Sequence, residues 1–437
     1  MIVFVLIAFL SSVSVLIVFV LIVFVGSTAG NGVAMSPFKQ QGALLCRYVS
    51  DIDSFMIYTS PTLTAEDQTV LAEIHEMRRQ LASVLRAPRR WQGGLRRTML
   101  ARAIRGSNSI EGYVVDEDDA AAALDDAEPL SADERTWAEI RGYRQALGFV
   151  LQMAGDQHFM IDTSAMRSMH YMMLAHELSK SPGQYRTGPI YVHDEKRDLV
   201  VYEGPEAGRL PALMEELAAS LRADLDVDPL VRGAMAHLNL VMIHPFRDGN
   251  GRMARALQTL TISRQAIVEP AFSSIEEWLG QNTDDYYQVL AATGQGSWRP
   301  RPDAHLWTTF NVRAHHMQAQ TVAQRVDEAS EIWKELDELI GANHLPERMT
   351  GMLYEAVLGY RVRRPGYMKM TGVEKHTATR DLGRLADLGL LHPQGETRGR
   401  HYLAGQRLRE LREECRKRRR PIIDPYPWMR SRLAEAG

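Results

Sequence analysis

Cysteine is nearly absent. Two residues in 437, Cys46 and Cys415, exclude a disulfide-stapled scaffold and a four-cysteine zinc site. A surplus of one charge is missing too. The formal net charge is −3, so the total carries no preference for a polyanion or an anionic membrane. Beyond the first 25 residues there is no repeat of fixed period, which leaves out solenoids and propellers. What is present is ordinary: 45% apolar and 24% charged residues, the composition of a globular chain of two or three domains. Disorder over most of the length is excluded, as are collagen-like and coiled-coil classes.

The small net charge hides an asymmetry. Residues 361–420 hold 17 Lys or Arg against 7 Asp or Glu, a local charge of +10 that leaves −13 elsewhere. The C-terminal part is therefore built to meet something negative, or to fold back on the acidic remainder. The other end is extreme in a different way. Met1–Val25 has three polar residues, Ser11, Ser12 and Ser14, and no charge. That length suits a helix crossing a bilayer core of about 30 Å. Lys39 and Arg47 follow it, which puts the body of an anchored protein on the cytoplasmic side. A start of translation at Met35 is the alternative reading of the same residues.

Helical periodicity opens near Ala65, with Val70, Leu71, Ile74, Met77, Leu81 and Leu85 on one face. Further helices are expected at 96–104, 132–153, 164–177, 210–223, 229–242, 252–264, 283–292, 304–330 and 331–339. Strand-like text is confined to Ile190–Val192 and Leu199–Tyr202 around a polar turn, one β-hairpin, and to two short runs near the C-terminus. Those runs, Leu390–His392 and His401–Leu403, follow helices at 348–358 and 376–388, the order of a winged helix–turn–helix. Thr377, Thr379, Arg380, Arg398 and Arg400 are then the candidates for DNA contact, with protein packing as the other use of such a module. The expected division is an anchor or untranslated stretch at 1–25, a linker at 26–64, a helical region at 65–155, and a mainly α-helical body with one hairpin at 156–316. Connecting helices at 317–346, the winged helix at 347–420 and a tail at 421–437 complete it.

Chemistry concentrates in His244-Pro-Phe-Arg-Asp248-Gly249-Asn250-Gly251-Arg252-Met253-Ala254-Arg255. An apolar helix runs into this stretch and another leaves it. Gly249-Asn250-Gly251 forms a tight turn at a helix N-terminus, where free N–H groups and the helix dipole make an anion site. Arg252 and Arg255, three apart, grip further phosphate oxygens. Asp248 is a hard oxygen ligand suited to Mg²⁺ held against phosphates. His244 is the side chain able to take a proton near neutral pH. The combination implies phosphoryl or nucleotidyl transfer to a hydroxyl.

This segment resembles the signature of the Fic (Fido) family, His-x-Phe-x-Asp/Glu-Gly-Asn-Gly-Arg-x-x-Arg, at every fixed position. Gly183-Gln184-Tyr185-Arg186 before Ile190-Tyr191-Val192 resembles the family's entry into a flap over the site, and Tyr286-Tyr287 its tyrosine pair beside the nucleotide base. The family's asparagine beyond that pair has no counterpart, Thr293 and Gly294 standing there. The resemblance implies a helical bundle with a β-hairpin flap and an AMP transfer from ATP to a Ser, Thr or Tyr hydroxyl. His244 would be the base, Asp248 the Mg²⁺ ligand, and residues 249–255 the phosphate cradle. Ile190, Tyr191, Val192 and His193 would dock the target by main-chain pairing. Ser107-Asn-Ser-Ile-Glu111-Gly112 resembles the family's inhibitory pattern, with Glu111 pairing Arg255. Removal of AMP, transfer of another nucleotidyl or phosphorylated group, and a DNA-binding regulator that senses nucleotide are the rival functions. Partners left open are a target protein, the protein itself as substrate, DNA, a membrane through residues 1–25, and a second copy of the chain.

Overall fold

The computed structural model describes residues 57–436 apart from 195–197, 224, 266–267, 301–302 and 397–398. The expected anchor and most of the expected linker lie outside the described residues, as does Arg398. The helices start where the chain supplies caps. Helix α1, Ala65–Arg86, opens on a reciprocal box: the Thr64 hydroxyl accepts from the Asp67 N–H and the Asp67 carboxylate from the Thr64 N–H. Helix α2 spans Gln92–Ile110 and α3 Glu117–Leu124. Asp133 caps α4, Glu134–Met153, and Asp162 caps α5, Thr163–Leu174. The hairpin follows: β1, Tyr191–Asp194, is antiparallel to β2, Leu199–Glu203, with an irregular register between Val192 and His193. Ile190 stands just before the strand rather than in it.

Helix α6 is Leu210–Ala223. Helix α7, Pro229–Ile243, is capped by Asp228 and begins with proline, whose missing N–H costs nothing there. Thirteen of its fifteen residues are buried, the mark of a helix enclosed on all sides. Helix α8, Asn250–Ser263, packs along it after a six-residue connection. Short helices α9, Pro270–Ser273, and α10, Glu276–Gln281, lead to α11, Thr283–Gly294.

Helix α12, His305–Ala342, is a single helix of 38 residues, about 57 Å long. Two helices were expected here, broken at 330, with a domain boundary at 316. Neither glycine nor proline occurs between Ala304 and Ile340, so nothing in the chain stops it. Trp307 and Phe310 near its start join the core around α7. Val322, Val326, Ile332 and Leu336 join a second cluster with the C-terminal elements. These are α13, Thr350–Leu358; α14, Arg364–Thr371; α15, Lys375–Asp387; and the antiparallel pair β3, Leu391–Gln394, and β4, His401–Ala404. Helix α14 was absent from the sequence reading, because Pro365 and Gly366 obscured its start. Helices α16, Gln406–Lys417, and α17, Met429–Ala436, end the chain. No helix among the described residues is long and apolar enough to cross a membrane.

Helix α2 crosses α10 at backbone contact. A Cβ on Gly106 would lie 2.4 Å from the Glu276 carbonyl oxygen, and one on Gly280 would lie 2.7 Å from the Gly106 Cα. No side chain fits between these helices. Gly106→Ala is therefore expected to destabilise the protein by about 1–3 kcal/mol. Gly93→Ala, on the same helix with open space around it, is expected to be neutral or stabilising by up to about 1 kcal/mol. Urea unfolding of the two variants beside the parent checks both.

Candidate active site

Helix α7 ends at His244, which adopts the left-handed conformation at φ 49° and turns the chain out of the bundle. Gly249 turns it back at φ 75°, where a Cβ would press within 3.0 Å of Leu174, so glycine is required twice over. The loop between them is tied to itself. The Asn250 amide accepts from the Phe246 N–H and donates to the Phe246 carbonyl, both at 2.9 Å. Its side chain thus closes the loop, which leaves the expected role of its backbone N–H unaffected. Met253 and Ala254 point into the core, fully buried.

The two arginines of α8 are buried charges. Arg252 and Arg255 are each 1% exposed. Arg255 donates from Nε to the Ser107 hydroxyl and from Nη2 to the Ser107 carbonyl. The same Nη2 lies 2.7 Å from Glu111 Oε1. The expected Glu111–Arg255 pair is therefore present, and Ser107, the first residue of that motif, shares the arginine. Arg252 donates to Glu139 Oε2 at 2.5 Å and lies over the Tyr113 ring. Each arginine still has a buried N–H with no acceptor in the protein, Nε of Arg252 and Nη1 of Arg255. A Cβ at Gly251 would fall 3.2 Å from that Arg255 nitrogen and 2.4 Å from Glu111 Oε1, so glycine there is what lets Glu111 in. Buried orphan donors at a helix N-terminus, beside a glycine, fit an anion of several oxygens.

Asp248 closes the cradle. Its Oδ1 accepts from the Gly249 N–H at 2.6 Å and its Oδ2 meets Lys180 Nζ at 2.7 Å. Lys180 and the other cations nearby hold this carboxyl below the usual carboxylate range, against burial that would raise it. No group of three or more metal-binding side chains occurs among the described residues. A cation here would rest on Asp248 together with the oxygens of a bound phosphate, and the residues fit Mg²⁺ only in that shared form.

His244 keeps Nδ1 at 3.1 Å from the Val241 carbonyl, so Nδ1 carries the proton and Nε2 is left basic. Burial lowers its pKa from the ordinary 6.5, partly offset by the Val241 bond and the Glu111 and Asp248 carboxylates. The backbone around it is held by Arg186. Its guanidinium donates to the carbonyls of His244, Gly188 and Pro205, and its own N–H donates to that of Pro245. One buried cation thereby fastens both roots of the hairpin to the end of α7.

The hairpin presents Tyr191, Leu199 and Val200 outward, all about half exposed. Tyr202 anchors it through its hydroxyl to the Met242 carbonyl. No strand pairs with the outer edge of β1 among the described residues. The tyrosine pair divides. Tyr287 is half exposed and donates to the Ile110 carbonyl beside Glu111. Tyr286 is buried against His237 in a chain that continues to Gln258 and Asn311, so it supports the wall and does not face a base.

The C-terminal candidates lie elsewhere on the chain. Thr379 and Arg380 are exposed on α15 and Thr377 is half-buried, while Arg400 covers the Tyr402 ring. Much of the nearby positive charge is met by the protein itself. Arg418, Arg419 and Arg420 reach Glu331, Glu328 and Asp327 on α12. Arg361 reaches Asp116 and Asp118, and Lys369 reaches Asp125.

Glu139, Lys180, Arg186, His170 and Ser107 were not singled out as site residues. Glu139 carried a signal: it shares a helical face with Tyr143, Ala146 and Val150, and a carboxylate on an apolar face needs a buried cation. Lys180 and His170 carried none, since only the fold brings them to residue 248. His170 stacks on Phe246, donates to the Asp248 carbonyl and accepts from the Gly183 N–H. Burial holds it and His237 neutral, at about 4 and about 3. These folded values lie below the ordinary 6.5, so the unfolded chain takes up protons first as pH falls. Stability is then level above about 6.5 and declines below it. An unfolding free energy about 2 kcal/mol lower per imidazole at pH 5 than at pH 7 is expected, with a shallower slope in His237→Gln, as measured by urea unfolding across pH.

Residues 160–262 match the Fic/DOC family. The protein adenylyltransferase fic-1 of Caenorhabditis briggsae is 27% identical over 252 residues, which cover 55% of this chain and 46% of the relative. The protein adenylyltransferase Fic of Nematostella vectensis is 25% identical over 250 residues, covering 55% and 54%. The chain thus spans about half the length of the curated relatives it matches. Among solved structures, a Fic family protein from Desulfovibrio desulfuricans G20 superposes with a TM-score of 0.50 over 80% of this chain and 99% of its own, at 23% identity, a likeness of fold. With its signature folded into a loop and helix N-terminus lined by two buried arginines, the segment 160–262 is similar to the Fic/DOC family.

Proposed function

We propose that the protein is an adenylyltransferase that moves AMP from ATP to a Ser, Thr or Tyr hydroxyl of a protein, and that Glu111 restrains it. The carrying observation is the pair of buried guanidiniums at the α8 N-terminus, each with an unmatched N–H, beside an imidazole whose Nε2 is free to accept a proton. The relatives named adenylyltransferases support the same reaction.

The chemistry follows from these positions. The phosphates of ATP lie against the N–H groups of the first turn of α8, with Arg252 and Arg255 neutralising them. Nε2 of His244 takes the proton of the target hydroxyl. That oxygen bonds to the α-phosphorus, and the bond from the α-phosphorus to the β-phosphate oxygen breaks, releasing pyrophosphate. A Mg²⁺ ion on Asp248 would supply charge neutralisation at the α and β phosphates. The exposed edge of β1 offers main-chain pairing to a target segment, which reads little of its side chains.

Glu111 works against this. Its carboxylate takes the Arg255 face that a γ-phosphate needs, so ATP is kept from the reactive pose. The test is labelling with α-labelled ATP and Mg²⁺, using the parent, Glu111→Gly and Glu111→Gly/His244→Ala. The expected result is label in Glu111→Gly at least tenfold above the parent and none in the double variant. Equal labelling of parent and Glu111→Gly removes the restraint from the reading, and no label from any of them, with ATP bound, removes the transfer.

The pH profile gives an independent check. Burial lowers the His244 pKa, and the Glu111 carboxylate raises it. Labelling by Glu111→Gly is therefore expected to hold as pH falls and to lose activity only below 6.5, as the imidazole protonates. A limb above 6.5 would assign the proton transfer to another group.

A further inference from the structure

Both oxygens of Asp248 are already engaged, one by backbone and one by a lysine. Lys180 Nζ lies 2.7 Å from Asp248 Oδ2 and 2.8 Å from Glu139 Oε1. Glu139 is 1% exposed and is itself held through its other oxygen by Arg252. The result is an alternating chain of charges: Arg252, Glu139, Lys180, Asp248. It is delivered by local geometry. Lys180 ends a 3₁₀ turn, Leu178–Lys180, which Ser181 closes at φ 54° with its N–H on the Leu178 carbonyl. Glu139 is brought close because Gly142 lets α4 touch α5, where a Cβ would stand 2.0 Å from the Met173 carbonyl oxygen.

We infer that Lys180 is a built-in competitor of the divalent cation at Asp248, and that it sets how much divalent ion the site demands. The inference rests on the nucleotide-transfer reading of this site. A divalent cation on Asp248 shares the carboxylate that the ammonium holds, and two cations a few ångströms apart repel. Lys180 does not need Asp248 to remain paired. Its second partner, Glu139, keeps it within the protein while Asp248 is given up. Lys180 thus neutralises Asp248 in the absence of the ion, and yields to it.

The sign of the effect separates this role from a merely structural one. If Lys180 only held Asp248 in place, its removal would weaken cation binding. If it competes, its removal strengthens binding. The experiment is titration of the full chain with Mn²⁺, followed by electron paramagnetic resonance, with and without saturating ADP. Parent, Lys180→Met, Lys180→Gln, Asp248→Asn and Lys180→Met/Asp248→Asn are compared, with thermal melts to confirm folding. The expected result is Mn²⁺ affinity roughly fivefold or more higher in both neutral Lys180 variants. In the Asp248→Asn background, Lys180→Met should make no difference. Unchanged or weaker Mn²⁺ binding in the folded Lys180 variants overturns the inference. ADP binding in EDTA is measured alongside: its absence in every variant overturns the nucleotide reading, while ADP binding with unchanged or weaker Mn²⁺ affinity in the Lys180 variants overturns the competition alone.

Discussion

Two guanidinium groups on the first turns of α8 have been taken out of water, and much of the surrounding structure answers that expense. An ionised side chain in a protein interior is tolerable only where charge and hydrogen bonds replace the lost solvent. Arg255 is met by a hydroxyl, a carbonyl and a carboxylate from the end of α2. Arg252 is met by Glu139 from α4. Helices distant in sequence are thereby committed to the same few ångströms. The donor atoms left over, Nε on Arg252 and Nη1 on Arg255, are the part of the charge that the protein does not satisfy for itself.

The same commitment fixes α2 in place. It is packed at backbone contact on α10 through Gly106 and Gly280, and Tyr287 ties its last carbonyl. Trp91, Leu95 and Met99 at its other end belong to the cluster shared with the C-terminal helices. Relief of the proposed restraint at Glu111 is then a matter of one carboxylate turning away, with its side chain a quarter exposed, and not of a helix leaving. The Glu111–Arg255 contact and the Gly106–Gly280 packing both lie toward the same end of the helix.

The C-terminal elements are held by charge as well as by apolar packing. The basic run at 418–420 lies along the acidic face of α12, and Arg313 on α12 grips Asp424 in the segment that follows. Tyr426 then carries that segment across to α1, where its hydroxyl reaches the capping Asp67. A sequence that reads as a cationic arm is, in the folded chain, largely a strap. Of the two uses foreseen for the local surplus of positive charge, folding back on the acidic remainder accounts for most of the ion pairs present.

Local sequence determined a good deal. The mainly helical class, the caps at Thr64, Asp133 and Asp228, the hairpin before α6 and the loop from His244 to Gly251 all follow from short-range rules, because capping, turn geometry and amphipathic period act within a few residues. The Glu111–Arg255 pair was legible only through resemblance, since 144 residues separate the partners. Tertiary structure decided what no spacing records. It spent the Asn250 amide on its own loop, turned Tyr286 into the core, ran α12 through an expected boundary, and set Lys180 on Asp248. Each of these depends on which distant surface comes to rest against a residue, and that choice is made by packing the whole apolar core at once.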